Sequence, residues 1–167
     1  MRVLGIDPSL SSTGFGIIDY TKNRYSVASY GTIRTSRRLS ILDRIYKINS
    51  RIEELIIDFK PKEVAIENLF YAKNVKTAIT LGQVRGAIMV AVASSNCPLY
   101  EYSPLEIKKA VTGYGQADKN QVQQMIKTLL NLQEAKIRTD ASDALATAFC
   151  HLNSRIYQQN ISDSINE

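Results

Sequence analysis

Four carboxylates stand out, two of them where a carboxylate is costly unless something positive meets it. Asp7 closes the apolar run Val3-Leu4-Gly5-Ile6, and Glu67 closes the run Val64-Ala65-Ile66. Asp140 and Asp143 are three residues apart in a segment of helical pattern, so both project from one face of its first turn. Brought together without counter-charge, four such groups would repel one another and would not all ionise. A pair of hard divalent cations removes that conflict. The donors are oxygens only, with no His or Cys cluster, which points to Mg²⁺ or Mn²⁺ over Zn²⁺. Two such ions, about 3.5–4 Å apart, suit phosphodiester cleavage: one acidifies a water, the other steadies the leaving 3′ oxygen. Each carboxylate has a plainer reading when taken alone. Asp7 with Pro8 and Ser9 reads as a turn aspartate bonding its own loop. Acids also favour helix N-termini, which covers one of Asp140 and Asp143 better than both. The sole histidine, His151, falls two turns after Asp143 on about the same face. It reads as a satisfied structural histidine or as a support for the acidic site.

The elements that must position these groups are legible in order. Met1–Asp19 reads as strand, turn and returning strand. Tyr25–Ile33 adds a third strand, so the chain opens as an antiparallel meander. Arg34–Arg38 is a basic, Ser/Thr-rich loop. From Leu39 to Phe59 the period becomes helical, with Leu39, Leu42, Ile45, Tyr46, Ile52, Leu55, Ile56 and Phe59 as the expected core stripe and Pro61 as the stop. Glu63–Glu67 is a fourth strand, parallel to the first because a helix intervenes. Asn68–Asn74 is a loop whose Phe70 and Tyr71, beside Lys73, either stack on bases or pack beneath the loop. Val75–Ser95 is a long apolar helix. Its Gly82 and Gly86 share a face, which suits close approach either within the chain or of a second copy. Pro98–Tyr102 is a fifth strand. Ser103 and Asp118 are capping-box starts, with Glu106 and Gln121 three residues on, for two helices rich in lysine: Lys108, Lys109, Lys119 and Lys127. A last helix is expected from about Asp140 to Tyr157. The fold class is α/β, one domain over 1–157, with 158–167 as a flexible tail.

Composition narrows the partners. Of 167 residues, 44% are hydrophobic and 22% charged, an ordinary globular balance. The net charge is +5, and setting aside the last ten residues, which hold two acids and no base, leaves +7. A basic body suggests a polyanionic partner, nucleic acid before membrane. No apolar run is expected to cross a bilayer and no signal peptide is read, so the expected place is cytoplasmic. Cys97 and Cys150 lack metal-ligand spacing and read as reduced thiols.

The motifs together resemble the RuvC-type Holliday junction resolvases. The resemblance rests on Gly5-Ile6-Asp7-Pro8-Ser9 with Thr13-Gly14, Ala65-Ile66-Glu67 with Phe70 and Ala72-Lys73-Asn74, and Leu81-Gly82-Gln83 with Arg85-Gly86. It continues through Lys108, Gly113 with Gly115, Lys119 with Gln121-Val122, and Asp140-Ala141-Ser142-Asp143-Ala144-Leu145-Ala146. It spans nearly the whole chain. It implies a ribonuclease H-like fold with a five-stranded mixed sheet flanked by helices. It implies metal-binding carboxylates at Asp7, Glu67, Asp140 and Asp143, and catalytic lysines at Lys108 and Lys119. The aromatic that stacks at the opened junction centre falls on Phe70, and Lys73, Lys108, Lys109 and Lys119 are the expected DNA contacts. Two Mg²⁺ per subunit, with Mn²⁺ as a substitute, four-way junction DNA, a homodimer and a branch-migration motor complex complete the implied assembly. Ser142 stands where many members have alanine, and Asp143 where some have histidine. The rival readings are a sugar-kinase or actin-like ATPase, a nuclease of the same fold acting on RNA–DNA hybrids or other branched DNA, and a junction-binding protein without cleavage.

Overall fold

The computed structural model describes residues 1–68 and 74–165, with backbone alone at 163 and 165. A five-stranded sheet runs in the order β3-β2-β1-β4-β5. The meander is β1 (Arg2–Asp7), β2 (Ser12–Thr21) and β3 (Arg24–Arg34), each antiparallel to its neighbour. β4 (Glu63–Glu67) lies parallel to β1 with Ile6 opposite Ile66, and β5 (Leu99–Tyr102) lies parallel to β4. The helices are α1 (Ile41–Phe59), α2 (Val75–Ser94), α3 (Pro104–Thr112), α4 (Lys119–Leu129) and α5 (Thr139–Ile165).

Strand alternation divides the core into two layers. Leu4 and Ile6 of β1, with Val64 and Ile66 of β4, pack with α1 and α2. Val3 and Ala65 face the other way, into the layer made with α3, α4 and α5. Asp7 and Glu67 share the parity of Val3 and Ala65, so they belong to the α5 side. The helix starts are chemically set. Ser103–Glu106 and Asp118–Gln121 both form reciprocal capping boxes, and Ser40 accepts from the Asp43 backbone at the head of α1.

Three expectations need correction. The apolar stripe of α1 is wider than the face that the sheet and α2 cover: Leu42 is 73% exposed and Tyr46 70%, while Ile48 joins Ile52, Leu55 and Ile56 inside. α5 does not end at Tyr157 but continues to Ile165. No Gly or Pro interrupts that stretch, and the Ser162 and Ser164 hydroxyls bond the carbonyls four residues back. α2, at 20 residues with mean hydropathy 1.3, is long and apolar enough to cross a membrane. In this fold it packs on α1.

Candidate active site

The site is built where α5 crosses the ends of β1 and β4. The crossing is close because the sheet carries glycines there: Gly5, Gly14 and Gly16, with Gly5 paired to Gly16 and Asp7 paired to Gly14. A Cβ on Gly5 would lie 2.1 Å from the Ala144 carbonyl oxygen, and one on Gly14 would lie 1.9 Å from that of Asp140. α5 answers with buried Ala141, Ala144 and Ala148. Asp140 and Asp143 are thereby carried to the end of β1.

Asp7, Glu67 and Asp143 line one cleft of about 370 Å³, together with Lys108 of α3 and Lys119 of α4. Lys119 Nζ stands 2.7 Å from Asp143 Oδ2. Asp140 lies beside the cleft, where the Ser12 hydroxyl donates to its Oδ2 at 2.6 Å. The Glu67 carbonyl accepts from Arg85 of α2, and the same guanidinium reaches Glu101 at 2.8 Å. Ser12 and Arg85 were given no role from sequence. An arginine in the middle of a largely apolar helix was the available signal for Arg85; Ser12 had none beyond its polar turn.

Burial, then Glu67, Asp143 and Asp140, push the Asp7 carboxyl up to about 8. Glu67 and Asp143 are raised as well, chiefly by burial. Burial works against the Lys119 ammonium, but Asp143, Asp7 and Asp140 outweigh it and hold its pKa up. The cluster thus carries more negative charge than its one contacting ammonium offsets. That is the electrostatic condition for a divalent cation, and the donors are oxygens that suit Mg²⁺ or Mn²⁺. Among the described residues, no three His, Cys, Asp or Glu side chains close around a single point. Two of the four carboxylates are already engaged, Asp140 by Ser12 beside the cleft and Asp143 by Lys119 within it.

This charge conflict has a measurable consequence. Without metal, native Asp7 keeps a proton over an interval, from its ordinary 3.8 to about 8, in which the unfolded chain has released it. Stability therefore falls as pH rises through that interval. His151 acts in the opposite sense below its ordinary 6.5, because burial lowers it in the native state. In EDTA the melting temperature is expected to fall between pH 6.5 and 8, and added Mg²⁺ to raise it more at pH 8, since ligands bind deprotonated. A flat profile over that range in EDTA would contradict the strained cluster.

The remaining expected residues separate. Lys109 is exposed and does not line the cleft. Phe70 and Lys73 lie outside the described residues. His151 proves structural. It is fully buried, with Nε2 2.5 Å from Glu63 and Nδ1 2.8 Å from the Tyr102 hydroxyl, so it joins α5 to the start of β4 and to β5. Cys97 and Cys150 are free thiols, and burial pushes Cys150 up to about 12.

A meander continued by two parallel strands, with acids at the central strand ends and on the crossing helix, defines a ribonuclease H-like nuclease dependent on divalent metal. The profile described as Crossover junction endodeoxyribonuclease RuvC matches residues 3–151, and the chain belongs to that family. Its activity is endonucleolytic hydrolysis of DNA at Holliday junctions. The RuvC of Caldanaerobacter subterraneus subsp. tengcongensis is 48% identical over 154 residues, 92% of this chain and 93% of that protein. The RuvC of Alkaliphilus metalliredigens is 46% identical over 158 residues, 95% of this chain and 96% of that protein. Among solved structures, Thermus thermophilus RuvC in complex with a Holliday junction substrate superposes with a TM-score of 0.86 at 31% identity, covering 91% of this chain and 93% of that one. The yeast mitochondrial Holliday junction resolvase Ydc2, at 12% identity and a TM-score of 0.66 over 89% of this chain and 76% of its own, shares the fold. The ATPase reading and the binding-only reading fall away with the family.

Proposed function

We propose that two copies of the chain resolve a four-way junction by paired, symmetric, metal-dependent nicks, leaving 5′-phosphate and 3′-hydroxyl ends that a ligase can seal. The observation that carries this reading is the single cleft in which Asp7, Glu67, Asp143, Lys108 and Lys119 converge. Asp7, Glu67, Asp140 and Asp143 would hold two Mg²⁺ ions, with Mn²⁺ as a substitute. When bound, these supply a water acidified for attack and neutralisation of the phosphate. Ser12 orients Asp140. Arg85 steadies the backbone of Glu67. Lys108 and Lys119 offer ammonium groups to the scissile phosphate and to charge developing around it.

Homodimerisation is supported by the outer face of α2. Val75 is 76% exposed, Ile79 58% and Val90 60%, and Gly82 and Gly86 fall on the same helical stripe. A Cβ at either glycine would meet open space among the described residues, so packing against those residues does not account for them. A two-fold dimer matches a two-fold substrate. A branch-migration motor complex as partner follows from the family resemblance alone, and the DNA-processing role of the family supports a cytoplasmic place.

Phe70 is read as the aromatic that stacks at the open centre of the junction, with Lys73 on a neighbouring phosphate. Base stacking on an aromatic is worth about 1–3 kcal/mol. Phe70→Ala is therefore expected to cut roughly 10–100-fold more slowly, by the conversion of about 1.4 kcal/mol per decade, while remaining a folded dimer. If Phe70→Ala instead unfolds the protein, the side chain is a packing residue.

The deciding experiment presents a four-way DNA junction, one strand labelled at a time, with Mg²⁺ and then with EDTA. Paired nicks related by the junction's symmetry, lost in EDTA, are the expected result. Cutting of an RNA–DNA hybrid in place of the junction would move the substrate and keep the metal site.

A further inference from the structure

The basic loop Arg34–Arg38 has no part in the carboxylate cleft. It contributes to a separate, larger one. The turn Pro8–Ser11, the first residues after Asp7, forms one wall of a cleft of about 730 Å³, closed by Arg37, by Arg44 of α1 and by the first turns of α2. Its lining includes three cations, Arg37, Arg44 and Lys76, and, among the described residues, no Asp or Glu. Hydroxyls of Ser11, Thr77 and Thr80 stand among them.

The walls are held before any ligand arrives. Arg44 Nε donates to the Thr35 hydroxyl at 2.8 Å, and its second nitrogen reaches the Leu10 carbonyl and the Ser11 hydroxyl at 3.3 and 3.2 Å. The Thr35 backbone N–H also donates to the Ser11 carbonyl at 3.2 Å. Arg44 thus ties the β1–β2 turn to α1 and to the end of β3. Arg37 and Lys76 are exposed, and among the described residues neither makes a hydrogen bond or ion pair. Two cations without partners, across from a turn pinned by Arg44, in a cleft whose described lining holds no acid, form a receptor for an anion with several acceptor oxygens. The turn that supplies one wall is continuous with Asp7.

We propose that this cleft seats a backbone phosphate of the strand that runs through the active site, held by Arg37 and Lys76 against a turn fixed by Arg44. The proposal rests on junction DNA as the substrate. Its contribution is to register: a phosphate held beside Pro8–Ser11 sets which phosphodiester arrives at Asp7.

The test uses Arg37→Gln with Lys76→Gln in the full-length protein. Junction affinity is measured across a salt series in EDTA, where no strand is cut, and single-turnover cutting is measured in Mg²⁺ at saturating protein. The expected result is binding weaker by on the order of tenfold at 0.1 M salt, with the slope of log affinity against log salt reduced by about 2. At saturating protein the double variant should still cut, but with nicks spread to phosphodiesters beside the wild-type position, since the phosphate that sets register is no longer held; nicks confined to the wild-type position would overturn the register role. Sedimentation velocity should show an unchanged assembly state. Wild-type affinity and slope in the double variant would overturn the cleft while leaving the resolvase reading intact. Affinity lost together with dissociation of the assembly would also overturn it, and would give Lys76 to the contact between copies. Failure of the wild-type protein itself to bind the junction would overturn both readings together.

Discussion

Asp7→Asn should lose junction cutting by on the order of a thousand-fold or more while melting at a higher temperature than wild type in EDTA. The two effects have one cause. The Asp7 carboxyl is pushed up to about 8 by burial and by Glu67, Asp143 and Asp140. Its ionised form is therefore costly until a cation arrives. Asparagine keeps the shape and removes the charge, so the metal-free protein is relieved, most clearly at pH 8. On the proposed assignment the same substitution also removes a metal ligand, and metal stabilisation of charge in the transition state is worth several kcal/mol, each 1.4 being about tenfold in rate. Junction binding should hold or strengthen slightly, because one negative charge leaves a surface that receives phosphates. A gain in stability with loss of activity separates a functional carboxylate from a turn aspartate. Loss of its own loop bonds would make a turn aspartate's replacement less stable. Undiminished cutting by Asp7→Asn would sink the ligand assignment.

Gly5→Ala should damage both stability and activity, without touching a charged group. The new Cβ would lie 2.1 Å from the Ala144 carbonyl oxygen and 2.6 Å from the Ala148 nitrogen. Both are helix backbone and cannot swing aside, so α5 must lift off the sheet. Overpacking of this kind costs about 1–3 kcal/mol and sometimes more. The lift also carries Asp140 and Asp143 away from Asp7 and Glu67, and a displacement of about 1 Å at a reacting centre costs roughly 100-fold in rate. Purified Gly5→Ala is expected to melt several degrees lower and, at a temperature where it is fully folded, still to cut poorly. Full activity in the folded variant would show that the spacing of α5 from β1 is not what aligns the site. Gly82→Ala is the contrasting control. Its Cβ meets open space among the described residues, and alanine favours a helix by about 1 kcal/mol. Any damage there should appear in the assembly of two copies and not in the folding of one.

The contrast between these glycines shows where local pattern ends. Gly82 and Gly86 were visible as residues out of place in a helix, yet their spacing could not say whether a neighbour was internal or external. Gly5 and Gly14 looked like ordinary strand and turn glycines. Only the path of α5 over the sheet gives them their purpose.

Much of the chain was decided at short range. Strands declared themselves by alternation, helices by period, and the starts of α3 and α4 by capping boxes that form as written. Those signals depend on neighbours within a few residues, so no tertiary knowledge is needed to read them. Asp7 and Glu67 were legible for a related reason: an acid at the end of an apolar run conflicts with its surroundings whatever the fold, while Asp140 and Asp143 were legible by their three-residue spacing in one helical turn. What pairs with what was decided at long range. Ser12 and Asp140 are 128 residues apart, and His151 and Glu63 are 88 apart. Asp140 was grouped with the other acids yet stands to one side of the cleft, bonded to a serine that no local pattern distinguishes. Leu42 and Tyr46 carry the period of a core stripe, yet both stay exposed. A side chain's period is set by its own helix. Its burial and its partners are set by what the other elements bring against it.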